Sequence, residues 1–296
     1  MFAISNARYL PAEVTVAEVQ NLSVGNNPVA DYRGRRDLKR NIMRVQNVAV
    51  EPNPNVTVAI RENARSIEES HSNSMNHSAV FDLFCSSLFF LQLKSTADIS
   101  NYPYRYSFWL LKPTVADKIF LGLELNDEDK SIADEFGVEE EIEKGHLPIP
   151  LDSYIKTVFK RTTERTVSER IDIPTEGVDV KTEYSSVGTL LILEGIAMDK
   201  PPDNTYTTEL QIRVDDKDFS SLRAWAMSGS TYDVPFFVPC IDSFSLRLET
   251  NTAISNYNMR YRYSEVRLTD YVKMLLDLIP RETDEDLYRK VRAGII

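Results

Sequence analysis

Glycine is scarce, with 10 residues in a chain of 296, and no two are separated by a single residue. Phosphate-cradling loops need clustered glycines, because a backbone without Cβ can approach the ligand closely. A nucleotide loop of that kind is excluded. There are two cysteines, Cys85 and Cys240, too few for a disulfide framework in a chain of this length. Both sit in apolar runs, DLFCSSLFFL and PFFVPCIDSF, and read as buried small hydrophobes in a reducing cytoplasm. Of the three histidines, His71 and His77 form no zinc-ligand spacing with Cys85, and His146 stands in a connector. No long hydrophobic run is present. The longest, Leu88 to Leu93, is interrupted by Gln92 and is too short to span a bilayer. The first residues, MFAISNARYLPAEV, lack the charged-then-apolar order of a secretory signal. Neither a membrane partner nor export is expected.

Catalytic signatures are missing too. There is no G-x-S-x-G elbow, no H-E-x-x-H and no P-loop. The expectation is a non-enzymatic protein without cofactor or metal. A hydrolase whose site is assembled in space stays open as an alternative, because such residues meet in the fold and not in the chain.

Hydrophobic residues make up 42%, enough for a sizeable core. The net charge of −11 argues against a surface that is a nucleic-acid platform throughout. One basic segment runs against that background: Arg33, Arg35, Arg36, Lys39, Arg40 and Arg44. It could meet an acidic face on another protein subunit, such as the 124–143 region of a second copy, or nucleic-acid phosphates. The plain alternative is a solvated polar face. Two acidic stretches, Asn126 to Ser131 and Asp215 to Asp218, lack the turn glycine of a calcium loop.

Along the chain, residues 14–24, 41–52 and 56–60 read as strands, and 61–78 as a polar loop. Phe81 to Leu93 fits a buried helix or a buried strand equally well. Tyr102 to Leu111 reads as a strand. Residues 113–145 are helical and acidic, ended by Gly145 and Pro148, and a domain boundary is placed near 150. Thr189 to Met198 reads as a central strand buried on both faces. Leu210, Ile212 and Val214, then Phe244, Leu246 and Leu248, alternate with polar residues, as in antiparallel sandwiches. Tyr257, Met259, Tyr261 and Tyr263 continue that rhythm, and the step to Val266 suggests a β-bulge at Ser264 or Glu265. Thr269 and Thr283 cap two closing helices. No internal repeat is visible.

The aromatic groups Tyr102 to Trp109 and Tyr257 to Tyr263 fit either a sandwich core or an interface. An exposed Trp109 or Trp225 would serve as a stacking platform for sugars or a receptor.

The segments TLLILEGIAM, RVDDKDFSSL, DVPFFVPCIDSFSLRLETN and NMRYRYSEVRLTDYVK resemble, in order and rhythm, the strands of jelly-roll modules in proteins of virus particles, bacteriophage capsid-associated components in particular. The likeness covers residues 154–296. With the strand patterns above, the expected fold is mainly β: a mixed β-strand and acidic helical segment at 1–150, then an antiparallel, jelly-roll-like sandwich at 151–296 with two closing helices. The resemblance implies a structural subunit of the virion (capsid, decoration or connecting) with self-association and protein partners. Nucleic acid would enter only through residues 33–44. A carbohydrate- or receptor-binding module is the rival reading.

Overall fold

The computed structural model describes residues 12–31, 42–62, 65–71, 79–85, 89–111, 113–120, 122–145, 161–202, 205–227, 234–269, 272–273, 276 and 285–294. The second half contains β9 (Arg161–Ile173), β10 (Val178–Tyr184), β11 (Thr189–Met198), β12 (Glu209–Val214), β13 (Lys217–Arg223), β14 (Val234–Cys240), β15 (Ser243–Glu249) and β16 (Ile254–Arg267). Their pairing is nested and antiparallel: β9 with β16, β10 with β15, β11 with β14, β12 with β13. This is one long double ribbon. Rolling it brings β11 beside β16 and β12 beside β15. Two four-stranded layers result, β14-β11-β16-β9 and β10-β15-β12-β13. That order is a jelly roll. Alternating side chains turn Leu191, Leu193, Ile196, Leu210, Ile212, Phe244, Leu246 and Tyr261 into one core between the layers.

The first half does the same. It contains β1 (Ala12–Leu22), β2 (Gly25–Asp31), β3 (Ile42–Val50), β4 (Val56–Glu62), β5 (Arg65–His71), β6 (Ala79–Cys85), β7 (Phe89–Ser95) and β8 (Ile99–Leu111). Here β1 pairs with β8, β2 with β7, β3 with β6 and β4 with β5. Rolling adds β3 to β8 and β4 to β7. The layers are β1-β8-β3-β6 and β2-β7-β4-β5. A second core forms from Val16, Val45, Val48, Val58, Ile60, Phe89, Leu91, Tyr106 and Phe108. The expected polar loop at 61–78 therefore holds the strand β5, and the ambiguous run Phe81 to Leu93 divides into β6 and β7. A polar sequence can be a strand where it lies at a sheet margin, and β5 pairs only with β4 among the described residues.

The two rolls are copies of one unit. Cys85 to Ser107 aligns without a gap on Cys240 to Arg262: Phe89 with Phe244, Leu91 with Leu246, Leu93 with Leu248, then Ile99-Ser-Asn-Tyr102 with Ile254-Ser-Asn-Tyr257, Arg105 with Arg260 and Tyr106 with Tyr261. Local geometry repeats with it. Asn101 and Asn256 both adopt left-handed backbone, with φ of 52° and 55°. The ring of Phe89 lies 5.9 Å from Tyr106, and that of Phe244 lies 6.1 Å from Tyr261. Register shifts recur at matching places, between Val45 and Asn47 in β3 and between Leu193 and Gly195 in β11. They recur between Pro28 and Ala30 in β2 and between Asp179 and Lys181 in β10. The reading that the chain has no internal repeat is corrected on these grounds.

The rolls are joined by β1. It pairs with β8 in its own roll, and also antiparallel with β14 at Glu13–Phe237 and parallel with β13 at Ala17–Leu222. Strands alternate in direction along each ribbon. Both cross-pairings therefore set the two rolls in the same sense, with like ends pointing the same way.

Helices connect and close the chain. Residues 113–145 form α1 (Val115–Phe120), α2 (Asp127–Phe136) and α3 (Val138–Glu143), and α4 (Ala224–Met227) follows β13. Asn126 caps α2 with a complete capping box, and Gly137 ends it in left-handed backbone. Thr269 opens the first closing helix, its Oγ1 accepting from Val272 N at 3.2 Å. The last helix, α5 (Glu285–Ala293), packs on α1 and α2, with Ala293 among Val115, Ala116, Ile132 and Ala133. Thr283 lies outside the described residues.

The expected bulge at Ser264 or Glu265 is also corrected. Side chains of β16 keep alternating, and Val266 points to the outer face. That face also carries Leu190, Ile192 and Phe237, and it clusters with Trp109, Val272 and Leu276. Apolar residues change face there because both faces are dry. The extra residue lies on β9, where Glu265 faces Thr163 and Val266 faces Arg161.

Candidate functional site

The surfaces that bear on function are the seam between the rolls, the helical cluster that holds the last helix, and the sheet margins at β5, β6 and β9. At the seam, β1 is covered on both sides. Val14 and Val16 face the first core, and Ala17 joins the second. Glu13 and Thr15 are also buried, at 4% and 1% exposure. Beside them the indole of Trp109 lies 5.3 Å from the ring of Phe237, so an outward residue of β8 locks onto the outer face of the second roll.

Burial at this seam settles the place of two residues in the sequence reading. Trp109 is fully buried, at 0% exposure, and offers no platform to a sugar or receptor. Its period-two position on β8 puts it on the outer face, but the second roll covers that face. Arg44 lies on β3 opposite Phe84 and Trp109 and is buried as well. It is not part of an open basic surface. Arg33, Arg35, Arg36, Lys39 and Arg40 lie outside the described residues, as does the side chain of Trp225.

The aromatic groups are core. Tyr102, Tyr104, Tyr106 and Phe108 face inward in the first roll, and Tyr257, Tyr261 and Tyr263 in the second. Their hydroxyls find partners at the core margin: Tyr104 donates to Glu18 Oε2 at 2.7 Å and Tyr261 to Glu183 Oε1 at 3.1 Å. Burial, with Glu183 nearby, pushes the Tyr261 phenol well up from its ordinary range, and burial with Asp199 nearby does the same for Tyr257.

The acidic stretches have structural work. Asn126 and Asp129 make the capping box of α2. Asp215 and Asp216 form a two-residue turn with φ of 48° and 61°. The Asp215 carboxylate accepts backbone N–H groups of Asp242 at 2.7 Å and Ser243 at 3.1 Å, tying one roll-end turn to the next. Cys240 beside it is buried, and burial raises its thiol pKa, so it is a poor nucleophile. Among the described residues no three His, Cys, Asp or Glu side chains gather closely enough to hold a metal ion. His71 ends β5 and Cys85 ends β6, at opposite ends of the first roll, and His77 lies outside the described residues.

The helical cluster has a buried charge at its centre. Asp129 is fully buried and pairs with Lys118 and, at 2.6 Å, with Arg292 Nη2. Arg289 Nε adds a contact to Glu135 Oε2 at 2.8 Å on the surface. The end of the chain is thereby held on the helices that separate the rolls in sequence. Nothing in the local sequence marks this pairing, because the partners are distant in the chain.

No protein-family model and no curated protein matches this chain. Among solved structures it is similar to a protein of the Sulfolobus turreted icosahedral virus, at 9% identity over 95% of this chain and 99% of that one, with a TM-score of 0.25. It is similar to the human MASP-1/3 CUB1-EGF-CUB2 region at 8% identity over 86% and 99%, TM-score 0.26. It is also similar to tandem CBM51 modules of a Streptococcus pneumoniae glycoside hydrolase, at 7% identity over 80% of each chain, TM-score 0.22. Scores of this size carry no argument about ancestry or role. The mainly β architecture stands on the strand pairing itself. Among the described residues no helix is long and apolar enough to cross a membrane.

Proposed function

We propose that the chain is a structural subunit of a virus particle, a capsid, decoration or connecting protein that works by contact with other protein subunits. The observation that supports this reading is the fusion of two like-oriented jelly rolls into one block through β1. The residues repeated between the rolls are devoted to packing. The repeated residues Phe89 and Phe244, Tyr106 and Tyr261, Leu91 and Leu246 are core in both rolls. A unit duplicated in its core and fused side by side is suited to tiling, in which area and shape complementarity matter more than a reacting group. The rival glycan-binding reading loses one of its two candidate platforms with the burial of Trp109.

The test is sedimentation of a lysate from cells that make the protein, through a density gradient after nuclease treatment, with the chain followed by antibody. Recovery in nuclease-resistant particles is the expected result. A chain found only among free proteins at the top of the gradient overturns the proposal.

A further inference from the structure

The duplication exposes an unused half of a contact. In the first roll the opening strand, β1, is docked on β13 and β14, the margins of the second roll. The counterpart of β1 in the second roll is β9, because Asn101 N donates to Asn21 Oδ1 and Asn256 N to Asp172 Oδ1 in the same way. The counterparts of β13 and β14 in the first roll are β5 and β6. Among the described residues β9 pairs only with β16, β5 only with β4 and β6 only with β3. One chain therefore carries both halves of the seam, each without a further strand partner among the described residues.

Strand β9 keeps the residues that β1 uses. With Asn21 set against Asp172, Glu13 falls on Glu164, Thr15 on Thr166, Val16 on Val167, Ala17 on Ser168 and Glu18 on Glu169. Glu13, Thr15 and Ala17 are buried by the seam, whereas Glu164, Thr166 and Ser168 are exposed. A long strand at a sheet margin is a template for pairing, and proteins usually blunt it. Here the small residues at the position of closest approach are retained: Ala17 is 0% exposed against β13, and Ser168 is the next smallest side chain that carries a polar atom.

We propose that β9 of one copy docks on the β5 and β6 margin of a second copy, repeating the internal seam between molecules. The contact is heterologous, so copies add head to tail into a ring or a filament. It deepens the reading of the chain as an assembly subunit, but it is tested separately, on the purified full chain.

Two measurements decide it. Hydrogen exchange is followed as protein concentration rises. Amides of 161–173 and of the 65–71 and 79–85 strands are expected to gain protection together, with β10 unchanged. Ser168→Arg puts a bulky charge where the seam admits only a small residue, at a site exposed in the single chain. It is expected to keep the wild-type thermal midpoint and to lose the concentration-dependent association seen by sedimentation velocity. Protection of β9 alone, as in a two-fold pairing of β9 with itself, overturns the proposal. So does association of Ser168→Arg equal to wild type, or a wild-type chain that stays monomeric with no added protection at 161–173. In that last case recovery in virus particles would still stand or fall by the gradient experiment.

Discussion

Tyr102 and Tyr257 hold the same post in the two rolls: each donates its phenolic O–H to the carbonyl that follows a central strand, Glu51 O for Tyr102 and Asp199 O for Tyr257, the latter at 2.6 Å. Each follows an asparagine in left-handed backbone, so turn and hydroxyl together pin the last strand of a roll to its neighbour. Tyr257→Phe removes the donor and leaves a half-buried carbonyl unpaired. A loss of about 1–2 kcal/mol is expected, read as a lower denaturant midpoint with unchanged slope. Tyr102→Phe should cost a similar amount, and a silent result at both sites would sever the link between the repeated turn and stability.

The second roll was legible in the sequence because its inward positions alternate cleanly, as in Leu210-Ile212-Val214 and Phe244-Leu246-Leu248. The first roll was not. Its strand β5, Arg65 to His71, is polar, and its run Phe81 to Leu93 is mostly apolar with polar residues at irregular spacing, so neither shows a period. The repeat was hidden for a different reason. Identity survives where a ring, a left-handed asparagine and two leucines are all fixed by packing, between Cys85 and Tyr106 and between Cys240 and Tyr261. Elsewhere only the apolar character of inward positions is constrained, and connections of unequal length change the offset. Burial of Trp109 needed the second roll to be in place, which no local pattern reports.

The tyrosines set an alkaline limit. Phenols of Tyr257, Tyr261 and Tyr263 are all pushed up by burial. An unfolded chain releases these protons near the ordinary tyrosine value of 10.0, while the folded chain retains them. Their contribution is whole below that value and is lost as pH rises beyond it. The denaturant midpoint is expected to hold steady up to about pH 10 and then fall, with part of the tyrosinate absorbance appearing only as the chain unfolds. A midpoint unchanged well above that pH would contradict the assignment.

The seam inside the chain can be weighed by a double-mutant cycle. Trp109→Leu and Phe237→Leu each remove a ring from the contact at 5.3 Å. The coupling energy is expected at about 0.5–1.5 kcal/mol, beyond the loss of buried area. Additive losses would mean that the two rings share a space without interacting, and that the rolls are held by β1 alone.

Two glycines separate backbone strain from crowding. Gly177 and Gly188 both have positive φ, 80° and 77°. A Cβ on Gly177 would stand 2.8 Å from Leu248 O, whereas one on Gly188 meets nothing within 4 Å. Gly188→Ala therefore bears the conformational penalty alone, about 1 kcal/mol. Gly177→Ala adds displacement of a strand backbone and should cost roughly 2–3 kcal/mol or more. Thermal midpoints of the two variants give the comparison, and equal losses would rule out the close approach.

The end of the chain depends on a buried charge and hardly at all on an exposed one. Asp129 is fully buried and is the shared acceptor for Lys118 and Arg292, the latter at 2.6 Å, whereas the Arg289–Glu135 contact lies at the surface. Removing a buried partner strands the opposing cations at a cost of roughly 3–5 kcal/mol, lowered here because both cations reach solvent. An exposed pair contributes about 0–1 kcal/mol. Asp129→Ala is expected to release α5, seen as rapid amide exchange and early proteolysis within 285–294, while protection of β11 and β16 stays at the wild-type level. Arg289→Ala should leave both unchanged. Release of α5 by Arg289→Ala to the same degree would show that its surface contacts, and not the charge beneath them, hold the chain end in place.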